Sequence, residues 1–93
     1  MTQIKKFTNG RFDVLEYLYD HKDSNNVARV TQSEIADSIN TSRPTINKLI
    51  TELKEDGFVK ETNRYLEYVL TSKAILFVST MKNVAKRMSN TND

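Results

Sequence analysis

Between Asn9 and His21 the apolar positions Phe12, Leu15, Leu18 and Tyr19 recur at three- and four-residue intervals, with Asp13, Glu16 and Asp20 between them. That period puts the apolar residues on one side of a helix and the acids on the other. The run Lys22 to Asn26 has turn chemistry, and the Val-Ala-Arg-Val segment after it, residues 27–30, predicts a short strand.

Thr31 and Glu34 have the T-x-x-E spacing of a capping box, in which each side chain satisfies a backbone donor left open at a helix start. A second helix therefore starts there, buries Ile35, Ala36 and Ile39, and ends at Asn40, a residue type that tolerates left-handed backbone. After a tight turn at Asn40-Thr41, Ser42 caps a third helix. Pro44 sits in its first turn, where a missing N–H costs nothing. Ile46, Leu49, Ile50 and Leu53 form its apolar stripe, and Gly57 marks its end.

Phe58 to Lys60 and Arg64 to Leu70 are rich in β-branched and aromatic residues, and the polar Glu61-Thr62-Asn63 between them predicts a hairpin. Thr71 or Ser72 caps a last helix over 72–88 that carries Ala74, Phe77, Met81, Val84 and Met88. Residues 89–93 form a polar tail. The order is α-β-α-α-β-β-α.

Composition narrows the class of protein. Ninety-three residues, 38% of them hydrophobic, suit a single domain spanning 1–93 with one modest core. The absence of cysteine rules out disulfides, thiolate zinc sites and a cysteine nucleophile, and fits a reducing compartment. There is no apolar run of membrane-spanning length and no secretory leader, so a cytoplasmic protein without membrane contact is expected. The formal charge of +2 is too mild to name a partner, which leaves the decision to where the charges lie.

The stretch from Thr31 to Ala74 resembles the winged helix-turn-helix of bacterial regulators of the MarR type. The likeness rests on the capping box with Ile35-Ala36, the tight turn, Ser42-Arg43 with Thr45-Ile46, then Leu49, Leu53, Gly57-Phe58-Val59, and Tyr68 to Thr71. It implies an α+β, mostly helical fold: a core over 9–71, the helix-turn-helix at 31–56, a wing at 58–70 and an extra C-terminal helix. It also implies double-stranded DNA as the partner and transcriptional regulation as the role. Two departures stand out. MarR-type chains carry more dimerising helix, and their wing commonly ends in glycine where this chain has Lys73-Ala74, so a small-molecule effector pocket between domains is not expected. A looser resemblance to winged-helix replication proteins of small Gram-positive plasmids makes plasmid or phage replication, partition or transfer the alternative setting.

With the apolar stripe of the third helix turned inward, Pro44, Asn47, Lys48 and Thr51 face outward, and Ser42, Arg43 and Thr45 occupy the exposed first turn. No acid lies among them. Arginine matches guanine O6 and N7, asparagine matches adenine N6 and N7, and threonine contacts either bases or the thymine methyl, so Arg43, Asn47 and Thr45 are the base-reading candidates. Lys48 can reach a base or a phosphate. Thr31, Gln32 and Ser33 are candidates for phosphate contacts, and Lys60, Asn63 and Arg64 for wing contacts. Lys5, Lys6, Lys82, Lys86 and Arg87 are further cations available to phosphates.

No nucleophile with a base, close carboxylate pair or glycine-rich phosphate loop has supporting spacing, so neither an enzyme nor a cofactor is expected. His21 has no cysteine partner, so no metal site is expected either. Tyr17, Tyr65 and Tyr68 are read as core material rather than base-stacking platforms. A winged helix used as a protein-interaction module is the rival from another class, and the polar outward face of the third helix argues against it. The seam Phe77, Met81, Val84 and Met88 predicts a homodimer.

Overall fold

The computed structural model describes residues 10–62 and 66–91, with side chains of the last helix as far as Lys86. In chain order it contains α1 (Arg11–His21), β1 (Val27–Arg29), α2 (Gln32–Ser38), α3 (Arg43–Glu55), β2 (Val59–Glu61), β3 (Glu67–Leu70) and α4 (Ser72–Thr91). This is the α+β winged-helix order expected from the sequence.

Both helix-starting signals hold. The Thr31 hydroxyl accepts from Glu34 N at 2.9 Å while Glu34 Oε1 accepts from Thr31 N at 2.6 Å, completing the box that opens α2. Ser42 Oγ accepts from Thr45 N at 3.3 Å to open α3. The stops are equally local. Asn40 has φ 58°, and the N–H groups of Asn40 and Thr41 turn back to the carbonyls of Asp37 and Ala36, so the chain reverses within two residues and leads into α3. Gly57, with φ 80°, does the same for α3 through Gly57 N to Lys54 O and Phe58 N to Leu53 O.

The core gathers one face of each element. Val14, Leu15 and Leu18 of α1, Ile35 and Ala36 of α2, and Ile46, Leu49, Ile50 and Leu53 of α3 are buried with Ala28, Val59, Tyr68, Leu70, Ala74 and Val78. Burying each large aliphatic side chain among these contributes about 1.5–3 kcal/mol relative to leaving it in water. In α1 the fully buried Val14 joins the stripe, while Phe12 and Tyr19 are only half-buried. Gly10 precedes α1 with φ 91°, and a Cβ there would lie 2.8 Å from Leu49 Cδ1 of α3.

The sheet has the order β1-β3-β2 and is antiparallel throughout. Its register pairs Ala28 with Tyr68 and Tyr68 with Glu61 on one face, and Val27 with Val69 and Val69 with Lys60 on the other. β3 starts at Glu67, because Leu66 takes φ 67°, which interrupts the extended path. Arg64 and Tyr65, expected at the start of this strand, lie outside the described residues.

The end of α3 and the start of α4 are joined at residues 56–58. Lys73 Nζ donates to the Asp56 carbonyl at 2.7 Å and lies 4.6 Å above the Phe58 ring. Thr71 Oγ1 donates to Gly57 O at 2.7 Å, and Thr71 N donates to Phe58 O at 3.1 Å. Lys73 thus fills the place where a glycine was expected from the family pattern. Helix α4 runs on through Thr91, so Ser89 to Thr91, expected in a polar tail, are helical.

Candidate nucleic-acid interface

The outward face of α3 carries Arg43, Pro44, Thr45, Asn47, Lys48 and Thr51, all exposed. Two of the hydroxyl residues are engaged locally: Thr45 Oγ1 shares a 2.8 Å hydrogen bond with Ser42 Oγ, and Thr51 Oγ1 donates to Asn47 O at 2.9 Å. Arg43, Asn47 and Lys48 therefore present the longest unengaged polar groups of this face.

Beside α3 an open groove of about 730 Å³ separates it from the wing. Thr31, Gln32 and Ser33 line one part, Arg43 and Asn47 another, and Glu61, Thr62, Leu66, Glu67 and Tyr68 the wing side. The fold thus brings five of the sequence candidates together. Pro44, Thr45, Lys48 and Thr51 continue the α3 face outside the groove. Lys60 is exposed on the opposite sheet face from Glu61 and Tyr68, as strand alternation dictates. Asn63 and Arg64 lie outside the described residues.

The two acids at the groove are held by cations. Glu61 Oε1 lies 2.6 Å from Lys54 Nζ. Glu67, whose side chain is 12% exposed, accepts from Arg29 Nε at 3.1 Å and from Thr62 Oγ1 at 2.9 Å. Arg29 also reaches Asp23 at 2.8 Å. The hydrogen bond from Arg29 is the leading reason that Asp23 titrates below its ordinary value, and the same bond raises Arg29. Farther along α3, Glu52 and Asp56 face Arg11 at 3.7 and 3.2 Å. None of these ion pairs is legible from spacing, since the partners are six to 45 residues apart. The only sequence signal for Glu61 and Glu67 was their place in the hairpin.

This arrangement of two helices joined by a tight asparagine turn, with a three-stranded sheet beside them, has a counterpart among known domains: a family model of the Crp-like helix-turn-helix domain matches residues 14–74. The chain belongs to that family. No curated protein sequence matches it. Among solved structures, this Crp-like domain is similar to MepR, a transcription regulator of the Staphylococcus aureus multidrug efflux pump MepA. The TM-score is 0.75 at 22% identity, over 97% of this chain and 67% of that one. It is also similar to MepR in a complex with DNA, with TM-score 0.70 at 23% identity over 97% and 66%. The transcriptional regulator PA3341 gives 0.69 at 29% identity over 96% and 65%. The chain spans about two thirds of these neighbours' length. They are MarR-family winged-helix regulators, so the resemblance carried by Thr31 to Ala74 is matched in the fold.

Beyond α3, Lys82 of α4 pairs with acids of α1. It lies 3.1 Å from Asp20 and 3.4 Å from Glu16, and the Asp20 hydrogen bond chiefly raises its pKa. Expected among the cations available to phosphates, it is here paired with two acids and fastens α4 to α1. Of the α4 seam, Phe77 packs on its own chain, edge-on to Phe12 at 6.0 Å and tilted against Phe58 at 5.6 Å. Met81 and Val84 are 38% and 45% exposed, and Leu76, on another side, is 69% exposed. The Met88 side chain lies outside those described. Among the described residues no group of His, Asp or Glu is placed to hold a metal, and no helix is long and apolar enough to cross a membrane.

Proposed function

We propose that this chain is the DNA-reading part of a transcriptional regulator and binds double-stranded DNA with α3 in the major groove. One observation carries the reading: the exposed face of α3 from Ser42 to Thr51 is free of acids and continues into the groove where Arg43 and Asn47 stand beside Thr31, Gln32 and Ser33. A helix of this kind suits base edges, with the flanking hydroxyls and amides suiting phosphates. Similarity to MepR, a protein solved in complex with DNA, supports it.

In this reading Arg43, Asn47 and Thr45 contact bases, Lys48 a base or phosphate, and Ser42, Pro44 and Thr51 border the bound duplex. Thr31, Gln32 and Ser33 contact phosphates, and Lys60, Asn63 and Arg64 act from the wing. We further propose a homodimer built on α4, supported by the exposure of Met81 and Val84. A two-fold protein would select a palindromic site.

Selection of bound sequences from a random duplex pool, followed by titration of Arg43→Ala and Asn47→Ala, tests the proposal. Both side chains are exposed, so each variant should keep its stability within about 0.5 kcal/mol. Loss of a bidentate base contact should cost about 1–3 kcal/mol on the selected site and relax preference at one position. If both variants stay folded and keep parental affinity and base preference, α3 is not the reading element.

A further inference from the structure

Among the described residues lining the groove, Tyr68 is the side chain that belongs to the core. It is 5% exposed, sits at the centre of the sheet between Ala28 and Glu61, and lines the groove with Arg43, Asn47, Thr31 and Ser33. Among the described residues its hydroxyl makes no hydrogen bond, yet no buried side-chain oxygen or nitrogen there lacks a partner. The hydroxyl is therefore not fully buried. The ring is held by the core, and Tyr68 is the part of that core which borders the groove.

A duplex read by α3 in the major groove, with the wing against the adjacent minor groove, must pass one sugar-phosphate strand between them, because that strand is what separates the two grooves. The space between α3 and the wing is the groove floored by Tyr68. We propose that the Tyr68 hydroxyl donates a hydrogen bond to a backbone phosphate of this strand. The acids that would repel the phosphate are occupied: Glu61 by Lys54, and Glu67 by Arg29 and Thr62. A phenol packed in the core is fixed before binding, so little side-chain entropy is lost when it meets its acceptor. Being neutral, it releases no counterion and carries no base information, which distinguishes it from both Lys60 and Arg43.

The assignment rests on the proposed DNA reading, and Tyr68→Phe tests it separately because it removes only the hydroxyl. Binding of the parental protein and of Tyr68→Phe is titrated on the selected duplex and on duplexes with single methylphosphonates along one strand. Tyr68→Phe should melt at the parental temperature. It should bind about tenfold more weakly, with unchanged base preference and salt slope. Replacing one particular phosphate should weaken the parental protein and leave Tyr68→Phe indifferent. Parental affinity in Tyr68→Phe, a lowered melting temperature, or a loss coupled to no single phosphate would overturn the assignment alone. A parental protein that retains no duplex would overturn the DNA reading with it.

Discussion

The ammonium of Lys54, in the last turn of α3, lies 2.6 Å from the Glu61 carboxylate at the end of β2, tying the helix to the wing. Both side chains are partly exposed, so the pair contributes at most about 1 kcal/mol to stability. Its larger effect is on charge. Lys54→Ala leaves an unpaired carboxylate at the groove and should weaken duplex binding about twofold to fivefold at low salt, with little change in melting temperature. Adding Glu61→Gln should restore the affinity. Anisotropy titrations of the two variants decide the matter, and parental affinity in Lys54→Ala removes the charge argument.

Gly10 and Gly57 both hold positive φ, but their surroundings differ. A Cβ at Gly57 meets nothing within 4 Å, whereas one at Gly10 collides with Leu49. Gly57→Ala should therefore cost about 1–2 kcal/mol from backbone conformation alone. Gly10→Ala should cost more, because the Leu49 side chain must also give way. Denaturant midpoints give the order, and equal losses would mean that Leu49 yields freely.

Asp23 carries the acid-side pH dependence of the turn before β1. Its carboxylate accepts from Arg29 and from the N–H groups of Asn25 and Val27, so its folded pKa lies below the unfolded value. A depressed carboxylate contributes stability that is present above the unfolded pKa, near 3.8, and lost as pH falls through the folded one. Asp23→Asn should lower the melting temperature at pH 7 and narrow the gap to the parental protein as pH falls below about 4. A gap independent of pH would show that the ionised form plays no part.

If α4 joins two copies, a charge placed on its exposed apolar positions should separate them. Val84→Glu and Met81→Lys should shift a dimer to monomer in sedimentation at micromolar concentration while leaving the core, which neither side chain enters, intact. A parental protein that sediments as a monomer with and without DNA disposes of the dimer.

Helices α2 and α3 were legible because each is bounded by local chemistry. Thr31, Asn40, Ser42 and Gly57 act within a few residues of themselves, and the stripe Ile46, Leu49, Ile50 and Leu53 repeats at the helical period. The groove was half legible. Arg43 and Asn47 could be placed by rotating α3, but Tyr68 read only as core material, since its burial and its open hydroxyl depend on the pairing of β3 with strands on both sides. The Arg29, Asp23 and Glu67 cluster joins three segments and leaves no periodic trace. The exposure of Leu76 and the inward packing of Phe77 escaped for a related reason: a helix pattern shows which residues share a face, and only tertiary contacts show where that face ends.

The joint at residues 56–58 governs how motion can pass through the molecule. Lys73 and Thr71 hold three consecutive carbonyls at the exit of α3, so α4 has no slack at its root. With 20 residues, α4 is a rod of about 30 Å, and each degree of tilt displaces its far end by roughly half an ångström. Because the root is clamped rather than hinged, such a tilt turns α3 with it, and in the proposed dimer the spacing between the two α3 helices would follow the angle between the two rods.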